Sequence, residues 1–314
     1  MQAQKGTRNR GGWTKRTLDF LDQVKEQLEV LTDYWPLTLR QIYYRLVAAL
    51  IISNSLKEYQ KLSRVLTKGR LDGLVPWEAV EDRARSTLES SGWNDAAKFV
   101  ETELEGFLKW YRRDLLLGQP RALEIWVEKD ALSRICHDVA FGYCVPVIVA
   151  RGFSSVSYLN DCRQRVLQNK SKGQPTKILY FGDLDPSGWA MLPAMMETLR
   201  IEMGLGDLVD AERCALTPEQ VMQFNLPRSI DAMKESDSRT PKFKAMLRST
   251  GYPDDLAVEL DALPPAALED LVRRSIESNL DMRLLKKDQR RQVDEQAQLS
   301  DLRTRVRRYV RRVA

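Results

Sequence analysis

The sequence predicts a mixed α/β chain: helical in its first third, with a mostly parallel sheet in the middle and a basic helix at the end. Three observations predict it. Apolar residues recur at i, i+3, i+4 and i+7 through the first seventy or so positions, the stripe of amphipathic helices. From Leu123 onward, short apolar runs alternate with helical patterns, the βαβαβ order of a parallel sheet covered on both faces. From Lys286 the chain turns basic and helical and ends RVRRYVRRVA. The expected division is 1–34 (basic arm and helix), 35–118 (helical domain), 119–280 (sheet domain) and 281–314 (basic helix).

Composition sets the outer bounds. A chain of 314 residues is long enough for two cores, and 43% apolar with 30% charged residues is ordinary for a globular protein. No run approaches the roughly 18 apolar residues that span a bilayer, and MQAQKGTRNRGGWTKR lacks the apolar centre of a secretory signal. Cys136, Cys144, Cys162 and Cys214 have no metal-ligand spacing, which fits free thiols in a reducing cytosol. A single His137 excludes chemistry that needs several imidazoles. Net charge is only +5, but the cations gather at the two ends, a distribution that suits a phosphate backbone as well as a solvated helix.

The elements follow in order. Leu18, Leu21, Val24, Leu28 and Leu31 mark a helix over 14–31, closed by Trp35-Pro36. Thr38 is the N-cap of a second helix, whose buried stripe is Leu39, Ile42, Tyr43, Leu46, Val47 and Leu50. A turn at Ser53, Asn54 and Ser55 leads to a third helix from Lys57 to Leu71, with Lys57, Lys61, Arg64 and Lys68 on its outer face and Asp72-Gly73 ending it. Two helices about a tight turn, the second basic, then an irregular segment from Pro76, fit a winged helix-turn-helix whose second helix contacts DNA phosphates. Tyr44 is rotated about 100° from Tyr43 and so leaves the stripe, an exposed phenol one turn from Arg40. A phenol of ordinary pKa about 10 attacks phosphorus only if a base, cation or metal-bound water takes its proton. Residues 78–117 read as continued helix packed through Trp93, Phe99, Phe107 and Trp110, and Gly118 to Pro120 is the boundary between the domains.

Beyond it, a strand at 122–127 ends at Glu128, a strand at 145–150 ends at Arg151, and Ile178 to Phe181 ends at Gly182, Asp183 and Asp185. Ligands of open α/β sheets bind beyond the carboxyl ends of the strands. Arg151 there is a candidate phosphate contact, and carboxylates there can hold Mg²⁺ (or Mn²⁺) and leave positions open for phosphate oxygens. The competing reading is that the aspartates only cap the next helix. Later, Cys214-Ala215-Leu216 is a further strand, Ser236 to Phe243 a loop, and Pro264-Pro265 opens a helix to about Asn279.

WVEKDAL followed by YFGDLDPSGW, together with RQIYYRL upstream, resembles the A subunit of type IIB topoisomerases and the related meiotic double-strand-break transesterases, including their short stand-alone homologues. The similarity spans about residues 35 to 275. It implies a Toprim domain with Glu128, Asp183 and Asp185 as metal ligands and Tyr44, assisted by Arg40, as nucleophile. Lys129 and the Val258–Leu263 segment, with Glu259 and Asp261, would stand behind the ligands. It implies a homodimer in which Tyr44 of one chain meets the acids of the other, cutting double-stranded DNA through 5′-phosphotyrosyl links. No Gly-rich Lys-Ser/Thr phosphate loop occurs, so strand passage would need a separate ATPase subunit. Two alternatives remain: a Toprim nuclease that uses metal-activated water, and a DNA-binding protein without catalysis.

Overall fold

Four strands run parallel in the order β4-β3-β5-β6: β3 is Ala122–Val127, β4 Val147–Val149, β5 Thr176–Phe181 and β6 Val209–Ala215. They belong to a computed structural model that describes residues 12–81, 92–150, 156–229, 233 and 236–313. Alternate residues of β3 and β5 face opposite sides. Leu123, Ile125, Val127, Leu179 and Phe181 join one apolar cluster with α5 (Asp130–Phe141) and α10 (Pro265–Glu277). Trp126, Ile178 and Tyr180 join another with α6 (Val156–Ser171) and α7 (Pro186–Glu197). Both central strands are therefore covered on both faces, as their unalternating apolar runs predict. Fully burying side chains such as Trp126 and Phe181 stabilises by about 1.5–3 kcal/mol each.

The first cluster is continuous with the helical segment. There α1 (Lys15–Val30), α2 (Leu39–Ala48) and α3 (Leu56–Leu71) pack together, and a short parallel pair, β1 (Leu37–Thr38) with β2 (Val80–Glu81), closes the far side. The Thr38 hydroxyl accepts from Gln41 N while Gln41 Oε1 accepts from Thr38 N, a reciprocal cap worth about 1 kcal/mol that sets where α2 starts. No helix among the described residues is long and apolar enough to cross a membrane.

Four expectations of the fold need correction. Leu50, expected on the buried stripe of α2, lies past the helix end at Ala48 and is exposed. Residues 78–117 hold only one α-helix among those described, α4 (Ala96–Gly106), and Trp93, Phe99, Phe107 and Trp110 are exposed rather than packed. The Ser236–Phe243 segment is not all loop: after the short α8 (Pro218–Gln223), α9 (Thr240–Ser249) begins at Thr240, with Pro241 in its first turn, and buries Phe243. The strand expected at Cys214 begins five residues earlier, at Val209, because β6 pairs along the whole of β5. Arg151 lies outside the described residues.

Glu124 is a carboxylate buried in β3. It accepts from Arg165 Nε at 2.7 Å, from Arg165 Nη2 at 3.0 Å and from Trp126 Nε1 at 2.9 Å. Arg165→Ala strands this charge and is expected to cost about 3 kcal/mol in urea unfolding; adding Glu124→Gln should recover most of the loss. Burial also pushes the thiols of Cys136, Cys162 and Cys214 up to about 12. Because the thiolate is the reactive form, alkylation of the native protein at pH 8 should mark only the half-buried Cys144, and all four cysteines only after unfolding.

Candidate active site

The ends of β3 and β5 are neighbours, Val127 paired with Phe181, so Glu128 and the Asp183 loop share one rim. Glu128 N donates to Phe181 O, and Glu128 Oε2 accepts from Asp183 N at 3.0 Å and from the Tyr180 hydroxyl at 3.2 Å. Two glycines make this approach close. A Cβ on Gly182 would stand 2.7 Å from Glu128 Oε2, and one on Gly188 would stand 2.6 Å from the Asp183 carbonyl oxygen. Asp185 caps α7, its Oδ1 accepting from Gly188 N at 2.6 Å, so the capping reading holds for this residue. It still acts electrostatically on Glu128.

Asp183 faces another way. Its Oδ1 accepts from Leu260 N at 2.7 Å, and its Oδ2 lies 3.1 Å from Lys129 Nζ. That ammonium is also 2.9 Å from Glu259 Oε2 and 2.9 Å from Asp261 Oδ2. The ion pair with Asp261 is not aligned as a hydrogen bond, and neither oxygen of this buried carboxylate accepts one. Lys129 is thus the hub of the site and not a residue behind it. Among the described residues, no three His, Cys, Asp or Glu side chains are grouped as they stand to hold a metal.

The charges shift accordingly. Burial, with Glu128 nearby, pushes the Asp183 carboxyl up to about 7 against the opposing pull of Lys129. Glu128 is raised as well, first by burial. Burial would lower Lys129, but Asp183, Asp261 and Glu259 more than offset it and hold the ammonium firmly protonated. Both partners of the Lys129–Asp183 pair move upward because burial dominates for the acid and the ring of carboxylates for the base.

Helix α2 docks on this cluster in the same chain. Arg40 Nη1 lies 2.7 Å from Glu259 Oε2, and Arg45 Nη2 donates to Ala262 O at 2.6 Å. Tyr44 is buried, contrary to its expected exposure, and stacks edge-on against Tyr43 at 5.2 Å. It lines a cavity of about 350 Å³ with Arg40, Tyr59, Ser229 and Glu259. Its hydroxyl is raised by burial and by Glu259, opposed by Lys129, Arg40 and a hydrogen bond with Ser229. Tyr43 is structural, its hydroxyl donating to Asn54 Oδ1 at 2.8 Å.

A wider cavity of about 700 Å³ opens between the two halves of the molecule, lined by Arg40, Ser63, Thr67 and Arg70 on one side and Glu128, Lys129 and Asp261 on the other. Of the basic face of α3, Lys57 and Arg64 are exposed. Lys61 pairs with Glu58 and lies over the Phe20 ring, and Lys68 lies over Trp13.

Sequence reasoning missed Arg213. From β6 its Nη1 donates to Gly182 O and Asp183 O and its Nη2 to Gly188 O, binding the loop that carries the aspartates, while its guanidinium sits between the rings of Tyr180 and Trp189. The only signal in the sequence is a cation inside a strand. No protein-family model matches this chain, and neither a curated protein nor a solved structure matches it.

Proposed function

We propose that the protein is a DNA-cleaving enzyme that depends on a divalent cation and acts by transesterification through Tyr44, in the manner of the type IIB topoisomerase A subunits its motifs resemble. On this reading the sheet half is a Toprim domain, α2 and α3 form the winged helix-turn-helix, and double-stranded DNA is the substrate of a homodimer. The observation that carries it is that this chain holds both parts: Glu128 and the Asp183 loop on one acidic rim, and Arg40 and Tyr44 on α2 beside Glu259.

The residues fit Mg²⁺ or Mn²⁺. The candidate ligands are all hard carboxylate oxygens, they outnumber the one ammonium group beside them, and Asp261 keeps a buried carboxylate without a hydrogen bond. Glu128, Asp183 and Asp185 would hold the ion. When bound, it would neutralise the scissile phosphate and the leaving oxygen. Tyr44 supplies the nucleophile: its Oη forms a bond to phosphorus as the bond to the 3′ oxygen breaks, and the 3′ end leaves as a hydroxyl. Arg40 stands by to favour the phenolate, and Lys57 and Arg64 supply cations for the flanking phosphates.

Burial of Tyr44 favours one other reading, hydrolysis by activated water at the same acids, with the tyrosine a bystander. Supercoiled plasmid incubated with the protein and Mg²⁺, then denatured with and without protease, separates the two. Protein joined to 5′ ends supports transesterification. Protein-free ends that survive Tyr44→Phe but vanish in Asp183→Ala support hydrolysis. No cleavage under either metal leaves a DNA-binding protein and sinks the enzyme reading.

A further inference from the structure

Among the described residues, two surfaces lack a partner, and they complement each other. The first is on α4, none of whose residues is buried. Phe99, Val100, Leu104, Phe107 and Trp110 line a groove of about 460 Å³, and Trp93 stacks edge-on against Phe99 at 5.5 Å. Trp110 is 79% exposed. Contiguous apolar surface of this kind marks an interaction site. Its charges are acidic: Glu103 lines the groove, with Asp95, Glu101 and Glu105 on the same element and Lys98 already paired with Glu101.

The second surface is on the last helix, α11 (Met282–Val313). Its first half is fastened to the body: Asp288 and Glu295 pair with Arg113, Glu295 accepts from the Tyr111 hydroxyl, and Gln296 donates to Tyr111 O. Beyond Gln296 the hydrogen bonding and ion pairing described for the helix stay within it. The remainder of the helix, from residue 297 to Val313, is some 25 Å long. Leu299, Leu302, Val306 and Tyr309 follow a 3-4-3 spacing, the seam of a helix that packs on another. Leu302 and Tyr309 are exposed, and helical geometry sets Arg303 and Arg305 on the two flanks of the stripe.

An apolar groove edged by acids and an apolar helical stripe edged by arginines match in form, length and charge. We propose that they bind each other between two copies of this chain, the second half of α11 of one protomer lying in the α4 groove of its partner. Tyr111 and Arg113, which follow α4 closely, hold the root of α11. The exchange is reciprocal and closes as a two-fold dimer. The mode is a helix laid in a groove, its anchors spaced at i, i+3 and i+7. This surface lies apart from the cleavage chemistry: a monomeric chain would overturn both the inference and the homodimer of the proposed function, whereas a dimer unmoved by the reversals would overturn the inference alone.

Charge reversal tests it. Arg303→Glu with Arg305→Glu reverses the helix, and Glu101→Arg with Glu103→Arg reverses the groove; the substituted side chains lie outside the core, and circular dichroism checks the fold. By light scattering at micromolar concentration the parent chain should be a dimer. Each reversed chain alone should associate about 30-fold or more weakly. An equimolar mixture of the two should dimerise again, because both contacts in the mixed pair join opposite charges. A monomeric parent chain, a dimer unmoved by both reversals, or a mixture that stays monomeric would each overturn the proposal. So would a helix reversal that lowers affinity for duplex DNA while leaving the mass unchanged, since the arginines would then serve nucleic acid.

Discussion

Tyr44→Phe is expected to remove covalent attachment to DNA, lowering the trapped complex by about 10³-fold or more, while the fold persists. The ring keeps its packing against Tyr43, and only the hydroxyl's bond with Ser229 is lost, about 1 kcal/mol. Tyr43→Phe should do the reverse. It breaks the bonds to Asn54 Oδ1 and Ser55 O, lowers stability by a similar amount and leaves attachment intact. If Tyr43→Phe abolishes attachment and Tyr44→Phe does not, the nucleophile is misassigned by one residue. Because Tyr44 is buried against Glu259, α2 must part from the 259–262 segment before the phenol reaches a phosphate. Arg40→Ala removes one tie of that contact, the ion pair with Glu259. A larger yield of trapped complex in Arg40→Ala would mark Arg40 as a latch, and a smaller one would mark it as an aid to attack.

Lys129→Met is expected to be the most destabilising single change at the rim. It leaves Asp183, Glu259 and Asp261 close together without their shared counter-charge, a loss of about 3–5 kcal/mol in chelator. Millimolar Mg²⁺ or Mn²⁺ should restore part of it, since an ion that binds only the folded chain stabilises by mass action. Thermal melts of both proteins with and without the metal give the answer. A variant as stable as the parent in chelator, or one that the ions leave unmoved, contradicts a cation-seeking centre here.

The sheet was legible because its strands advertise themselves. Ile178 to Phe181 contains no polar alternation, and a strand covered on both faces needs none. The meeting of Glu128 with the Asp183 loop was legible too, since both follow such strands. What the sequence hid is contact across distance. Helical periodicity placed Tyr44 off the stripe, but it counts only one packing partner, whereas α2 is covered by α1 and α3 on one side and by residues 259–262 on the other. Arg213 looks like an ordinary charge until β6 folds beside the aspartates, and only the fold shows that Lys129 touches Asp183, Glu259 and Asp261 at once. The aromatics of α4 read as packing residues because composition cannot say whether the surface they would cover belongs to the same chain.

The strand order carries a consequence for synthesis. β3, made first, lies between β4 and β5, so the middle of the sheet waits for edges that emerge later from the ribosome. Glu259 and Asp261 arrive later still, after all four strands. A nascent chain halted at residue 250 would therefore hold all four strands but leave Lys129 and Asp183 without Glu259 and Asp261, and such stalled intermediates should be cut by protease where the released protein resists it. The acidic centre is thus completed only after the sheet that carries it.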